Sequence, residues 1–423
     1  MDAKLQEQYL AILKEELIPA MGCTEPIAIA YAAAVAQKHL GKKPGLIEVI
    51  ASPNIIKNAK SVVVPHTGSM RGIESAAIAG CAAGDADLEL EVLSHVTEEQ
   101  IEEMRQLKNN CRLMVTTAEN KPIFYIEVRV FAGDDSAICK IEGSHTNITF
   151  IKKNNEVLLE NPYVDDSESK KTPREILSVE NIVEFADTVE LEKIKDMLDQ
   201  QIKLNLAIAE EGLTGKWGAA VGHVLLTAYG DEVHNKAKAY AAAGSDARMG
   251  GCELPVVINS GSGNQGLTTS LPVIIYAKEL GASDELLYRA LVVSNLVTIH
   301  LKTGVGCLSA YCGATSAGCG AGAGITYLYG GKANAIAHTI VNAVAINSGM
   351  ICDGAKPSCA AKIASAVEAG LIGMQMQRQG KEFFGGDGIV VKGVENTLKN
   401  VARLARRGML FTDKEIIQMI ISK

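Results

Sequence analysis

Aromatic side chains are scarce: 423 residues include 7 Phe, 11 Tyr and 1 Trp. A core of this size must be filled by Ala, Val, Ile and Leu, which favours tightly packed helices with small residues at their contacts. An excess of positive charge is missing too. Against 49 Asp and Glu stand 41 Lys and Arg, a formal charge of −8, which argues against a nucleic-acid binder working through a basic face. Long apolar runs are also absent. The longest, such as 291–299 and 335–346, are short or interrupted by polar residues. None reaches the roughly 18–20 residues that span a bilayer. No signal peptide is visible, because Met1-Asp2-Ala3-Lys4-Leu5 opens an amphipathic helix instead. Ten cysteines without a secretory signal point to reduced thiols. The expectation is a soluble, cytoplasmic protein.

Several catalytic signatures are missing as well. No C-x-x-C pair occurs, which disfavours a zinc knuckle. The eight histidines form no H-E-x-x-H and no pair at i, i+4. Neither a serine nucleophile elbow nor a P-loop is present. No lysine is singled out for a Schiff base, so a PLP enzyme ranks low. No repeat of 20–50 residues suggests a solenoid.

What the chain does have is a cysteine-rich stretch between Gly304 and Lys362. It holds Cys307, Cys312, Cys319, Cys352 and Cys359, half of the ten, among many Gly and Ala. Three or four thiolates in a pocket of small neighbours can hold an iron–sulfur cluster or zinc. Buried cysteines also serve as ordinary small hydrophobes. Cys352 and Cys359 would lie roughly 10.5 Å apart along an unbroken helix. Gly354 and Pro357 break helices, so a loop curling both sulfurs towards one point is expected.

Read in order, the chain opens with a helix over 3–18, then Gly22-Cys23-Thr24-Glu25-Pro26 and an Ala-rich helix over 27–39. Pro26 suits the first helical position. Cys23 would then precede a helix N-terminus, where the macrodipole lowers a thiol pKa. A packing cysteine in a loop is the equal alternative. Residues 1–42 are expected to pack on a helical domain. Residues 43–170 read as an α+β domain with an antiparallel sheet. Its strands fall at 45–51, 88–93, 112–117, 123–131, 137–142 and 147–152, with helices near 69–83 and 97–108. Polar loops at 53–58 and 65–69 offer Asn58, His66 and Thr67 to a cleft. A charged, Pro-bounded linker covers 161–173. Residues 171–423 read as all-helical, with His223, His300 and His338 as core residues of its helices.

Gly261-Ser262-Gly263-Asn264-Gln265-Gly266 matches G-x-G-x-x-G, but its flanks are helical and the βαβ context of a dinucleotide site is missing. Two other readings stay open. A Gly-rich loop at a helix N-terminus binds a small anion such as a substrate carboxylate, or the segment is a tight turn between helices.

Gly22-Cys23-Thr24-Glu25-Pro26, the 260–266 loop and the cysteines at 312, 352 and 359 together resemble the cysteine desulfidase family. Those proteins are relatives of the α-chain of iron–sulfur L-serine dehydratases. The resemblance implies a [4Fe-4S] cluster on three cysteines, the second forty residues after the first and the third seven later. Cys312, Cys352 and Cys359 have that spacing, while Cys307 and Cys319 have no role in it. It also implies that Cys23 is the catalytic base. The expected reaction is α,β-elimination on a small amino acid, most simply L-cysteine to sulfide, pyruvate and ammonia. Cys23 would take the Cα proton, and an iron without a protein ligand would take the leaving sulfur. Asn58, Thr67, Gly261, Ser262, Gly263, Asn264 and Gln265 would bind the substrate. L-Serine dehydration by the same parts is the alternative, and a non-catalytic iron–sulfur or zinc sensor is another. A homodimer is expected.

Overall fold

The computed structural model describes residues 1–163, 171–306 and 309–421. Cys307 and residues 164–170 of the expected linker lie outside them. In chain order the first part holds α1 (Ala3–Glu16), β1 (Pro19–Ala20), α2 (Thr24–Leu40), β2 (Leu46–Ala51), α3 (Pro53–Ala59), α4 (Gly72–Ala83), α5 (Glu98–Asn110) and β3 (Arg112–Thr117). Then come β4 (Tyr125–Ala132), β5 (Asp135–Glu142), β6 (Ile148–Lys153) and β7 (Glu156–Glu160). Helices follow: α6 (Val179–Thr188), α7 (Lys195–Leu213), α8 (Val221–Tyr229), α9 (Val233–Gly250), and, after β8 (Val256–Val257), α10 (Gly263–Glu279). The chain continues with α11 (Asp284–Val305), α12 (Gly313–Leu328), α13 (Ala333–Ile346), α14 (Cys359–Arg378), α15 (Val394–Arg403) and α16 (Leu410–Ile421). The fold is α+β.

Six strands form one sheet in the order β3-β2-β4-β5-β6-β7. Every neighbouring pair is antiparallel except β2 and β3, which run parallel. The sheet is therefore mixed, where an antiparallel one was expected. Helices α3, α4 and α5 lie between β2 and β3 and supply the crossover that a parallel pair needs. Ile47, Val49 and Ala51 alternate inward along β2, as one buried sheet face requires.

The two helices of residues 1–42 divide between two cores. Tyr9, Ile12 and Leu13 of α1 pack with the helical part. Ile27 to Ala36 of α2 join the sheet core instead, which corrects the expectation for that helix. The cause is its composition. Nearly every side chain of α2 is small and apolar, so the helix can be buried all round, and it presses on α4. A Cβ on Gly80 would lie 2.1 Å from the Ala30 carbonyl oxygen, so only glycine permits that approach.

Residues 88–93 alternate like a strand but turn as a 3-10 helix over Ala86–Glu91. Asp85 accepts a hydrogen bond from its own loop at Asp87, and Glu89 sits at φ +47. Residues 53–58, expected as a loop, form α3, started by Pro53 at the first helical position. The helical part is built on glycine contacts between α12 and α14. Cβ atoms on Gly318 and Gly370 would lie 2.2 Å from the carbonyl oxygens of Ala366 and Gly318. No helix among the described residues is long and apolar enough to cross a membrane.

Two small pairings position the site. β1 pairs antiparallel with β8, Pro19 opposite Val257, which sets the Cys23 loop beside the 260–266 loop. An isolated bridge joins Tyr311 to Ile351, which sets Cys312 beside Cys352.

Candidate functional site

The three cysteines expected to act together do converge. Around the Tyr311–Ile351 bridge, the Cys312 N–H donates to the Met350 carbonyl at 3.0 Å and the Cys352 N–H to the Ala310 carbonyl at 2.7 Å. Cys312 is the N-cap of α12 and Cys359 opens α14. The connecting loop turns at Gly354, with φ +94. A Cβ there would sit 2.2 Å from the Lys57 carbonyl oxygen, so glycine lets this loop lie against α3. The Cys312 thiol donates to Cys352, which holds Cys312 well above the ordinary thiol range and pulls Cys352 below it. Burial opposes ionisation of Cys352, while Lys57 and Lys302 favour it. Burial raises Cys359, and the charge of Cys352 adds to that. Lys356 and Lys362 neighbour the cup as ion pairs with Asp353. Among the described residues no three His, Cys, Asp or Glu side chains close on a single metal ion. Cys319 lies inside α12, and burial pushes its thiol up to about 12. It is a core residue.

A second wall faces this cup. Gly22, at φ +58, passes so close to Pro65 that a Cβ would lie 2.3 Å from its ring. Cys23 then caps α2, which starts at Thr24, so Pro26 stands third in the helix. That position still belongs to the first turn, whose N–H groups have no helical partner. The Cys23 thiol donates to Glu25 Oε2 at 3.3 Å, and Asn58 Nδ2 donates to Oε1 at 3.0 Å. Thr24 Oγ1 ties the loop to the Gly261 carbonyl at 3.2 Å.

The expected thiolate at Cys23 is corrected. Burial and the Glu25 carboxylate raise its pKa well above the ordinary value, and the helix N-terminus does not overcome them. Burial works against ionised Glu25 too, yet His145, the Cys23 thiol and Arg248 together hold it below the ordinary carboxylate range.

Arg248, near the end of α9, is 2 % exposed. Its Nη1 donates to Asn264 Oδ1 at 3.0 Å, and its Nε has no protein partner among the described residues. Gly263 makes room for it, since a Cβ there would lie 2.4 Å from Nε. Gly261 lies beside His145, whose buried Nε2 also has no partner. Gln265 is 5 % exposed, its Oε1 is unpartnered, and its amide packs on Gly313 beside Cys312. Ser262 is the N-cap of α10 without a side-chain cap bond. β8 pairs only with β1, so the G-x-G-x-x-G loop has no βαβ unit around it.

Asn58 reaches this site, but Thr67 does not contribute its hydroxyl. Thr67 Oγ1 donates to the Val64 carbonyl at 2.7 Å and accepts from the Met70 N–H at 3.2 Å, closing its own turn. His66 faces Glu253 at 3.4 Å. The three histidines read as core residues are corrected. His223 is exposed, while His300 and His338 are partly exposed and ion-paired to Glu395 and Glu382. Glu25, His145 and Arg248 were not singled out from the sequence. The available signal for Arg248 was a lone cation in the Ala- and Gly-rich run 241–251.

The two walls meet. Cys23 packs with Val62 and Met249, and Ala355 and Cys359 pack against them. Open clefts of about 260 and 650 Å³ lie elsewhere, near Lys42 and near Arg406. The site itself is buried, built from α2, α3, α9, α10, α12 and α14 around two glycine-rich loops.

Known proteins resemble this chain over most of its length. Residues 87–418 match the family model described as serine dehydratase alpha chain. The matched segment carries Arg248, the 260–266 loop and the three cysteines, while Cys23, Glu25 and Asn58 precede it. Relatives extend across both parts. A UPF0597 protein of Desulfitobacterium hafniense is 54 % identical over 99 % of this chain and 97 % of its own. Another, from Lachnoclostridium phytofermentans, is 49 % identical over 99 % and 100 %. A third, from Finegoldia magna, is 47 % identical over 99 % and 100 %. With three-quarters of its length matched and full-length relatives at this identity, the chain belongs to the serine dehydratase alpha-chain family.

Proposed function

We propose that this chain is a lyase that carries out α,β-elimination on a small α-amino acid, L-cysteine in the first instance. Cys312, Cys352 and Cys359 would hold a [4Fe-4S] cluster, and Cys23 would act as the base. The observation that carries this reading is that Cys359 packs against the small buried cluster formed by Cys23, Val62 and Met249. A proton acceptor and a three-thiol cup therefore share one buried site.

The cup suits such a group by its donors. Thiolates are soft ligands, and Lys57 and Lys302 favour ionised sulfur at Cys352. Cys312, Cys352 and Cys359 are the soft donors that such a cluster would take. When bound, the cluster would supply a Lewis-acidic iron for the leaving sulfur.

The chain's own groups would do the rest. Cys23 takes the Cα proton after its own thiol proton has passed to solvent. The Cβ–S bond breaks and its electron pair leaves with sulfur as hydrosulfide. The aminoacrylate that remains tautomerises to the imine, and water hydrolyses it to pyruvate and ammonium. Burial keeps bulk water from the carbanion-like transition state, and it limits the substrate to a small side chain.

L-Serine is the second reading, favoured by the family match itself. The anaerobic protein, offered each amino acid separately, decides between them. Sulfide and pyruvate in equal amounts from L-cysteine are expected. Pyruvate from L-serine alone would move the assignment to a dehydratase, and a loaded cluster with neither product would point to a sensor.

A further inference from the structure

Arg248 and Glu25 form an unusual pair. Both are buried, at 2 % and 9 % exposure, and they carry opposite charges. They feel each other's field, yet they make no ion pair with one another. Burying an ionised side chain costs several kcal/mol unless a partner repays it. The hydrogen-bond partner of Arg248 is the neutral Asn264, and its Nε points at no protein acceptor among the described residues. A guanidinium offers five N–H donors in a planar fork that matches a carboxylate. Arg248 is thus set for an anion that the protein itself does not provide.

Glu25 is the complementary half. Its oxygens accept from Asn58, Thr24 and Cys23, all of them uncharged donors. Its own backbone N–H is a fourth donor, also uncharged, so an ammonium would be the first cation bonded to this carboxylate. A fixed cation and a fixed anion, held apart in one buried site, match a molecule carrying both charges on adjacent atoms.

We propose that Arg248 and Glu25 are a zwitterion clamp: Arg248 takes the α-carboxylate of the substrate amino acid and Glu25 takes its α-ammonium. This deepens the lyase reading and rests on it for the reaction, though not for the binding.

The clamp places the chemistry. Carboxylate and ammonium share one carbon, so holding both puts Cα between Arg248 and Glu25. The Cys23 sulfur lies 3.3 Å from Glu25 Oε2, next to the carboxylate that would hold the ammonium on Cα. The side chain would then extend past Gln265 and Gly313, which lie beside Cys312.

Calorimetry on the full-length, anaerobically purified protein tests the clamp without turnover. The probes are L-alanine, which has no leaving group, propionate, which has only the carboxylate, and ethylamine, which has only the ammonium. Wild type should bind L-alanine more tightly than either fragment. Arg248→Gln should weaken L-alanine and propionate by at least about 30-fold and leave ethylamine unchanged. Arg248→Lys should recover part of that loss, since it keeps the charge but not the fork. Glu25→Gln should weaken L-alanine and ethylamine while sparing propionate. Thermal melts of each variant guard against misfolding. Wild type failing to bind L-alanine, or Arg248→Gln binding it within about threefold of wild type, would overturn the clamp. Failure of the lyase reading looks different: the binding pattern stands, and L-cysteine and L-serine yield no pyruvate.

Discussion

Three of the four cysteines at this site stand at helix N-termini, and the fourth does not. Cys23 and Cys312 cap α2 and α12, Cys359 opens α14, and Cys352 sits in a loop. By the macrodipole alone the first three should be the acidic thiols. The structure has the reverse order, with all three raised and Cys352 lowered. Neighbours decide. Cys23 is buried and faces a carboxylate, whereas Cys352 accepts a thiol hydrogen bond and lies near Lys57 and Lys302. In the cup, an accepted hydrogen bond and two lysines favour an ionised sulfur at Cys352 alone. At Cys312, Cys359 and Cys23 the surroundings favour the proton.

That contrast can be broken most forcefully at the cup. Cys359→Ser should lose essentially all bound iron under anaerobic reconstitution, and all pyruvate formation with it. Iron and acid-labile sulfide analysis checks this, and full iron retention would remove Cys359 from the ligand set.

The other wall should respond to charge and not to iron. Glu25→Gln removes the nearest negative charge from Cys23, so the pKa of that thiol should fall. The sign follows from Coulomb's law, since a carboxylate disfavours a second anion beside it. Alkylation of Cys23 by iodoacetamide, followed by mass spectrometry across pH, should show a midpoint at least about one pH unit lower than in wild type. An unchanged midpoint would mean that burial alone holds the proton.

Thr67 marks the edge of that wall. Its hydroxyl is committed to the Val64–Met70 turn, so Thr67→Val should cost about 1 kcal/mol of stability and leave KM unchanged. Thermal melts and substrate titration separate the two. A raised KM would return Thr67 to the substrate site.

How much of this could be read from residues alone differs between the two regions. The thiol cup was legible through the family resemblance, which picks Cys312, Cys352 and Cys359 out of the five cysteines of that stretch. Gly354 and Pro357 announce a loop, and the three cysteines are all that chemistry of that kind requires. Helix α12 was not legible, because glycine at positions 313, 318, 320, 322 and 324 reads as loop by propensity, each costing about 1 kcal/mol against Ala. Tertiary contact overrides that cost, since Gly318 and Gly322 let α12 touch the α14 backbone, and Gly320 and Gly324 let it touch α11. Strand-like alternation at 88–93 misled for the opposite reason: a local cap at Asp85 outweighed the pattern. The Cys23 wall was half legible. The position of Cys23 at a helix start was right, but its pKa depends on Glu25, His145 and Arg248. Those residues are 2, 122 and 225 positions away, and the fold brings them together through the β1–β8 pairing. No local pattern encodes that meeting. Asn58 was found because its loop is polar, although the loop turned out to be the helix α3.

The most direct measurement compares Cys23→Ser with wild type, both purified anaerobically, for iron content and for pyruvate released from L-cysteine and L-serine. The account predicts full iron in both and product from wild type alone. Loss of iron in Cys23→Ser would make Cys23 a ligand, and undiminished turnover would remove it from the reaction; either result contradicts the division of labour between the two walls.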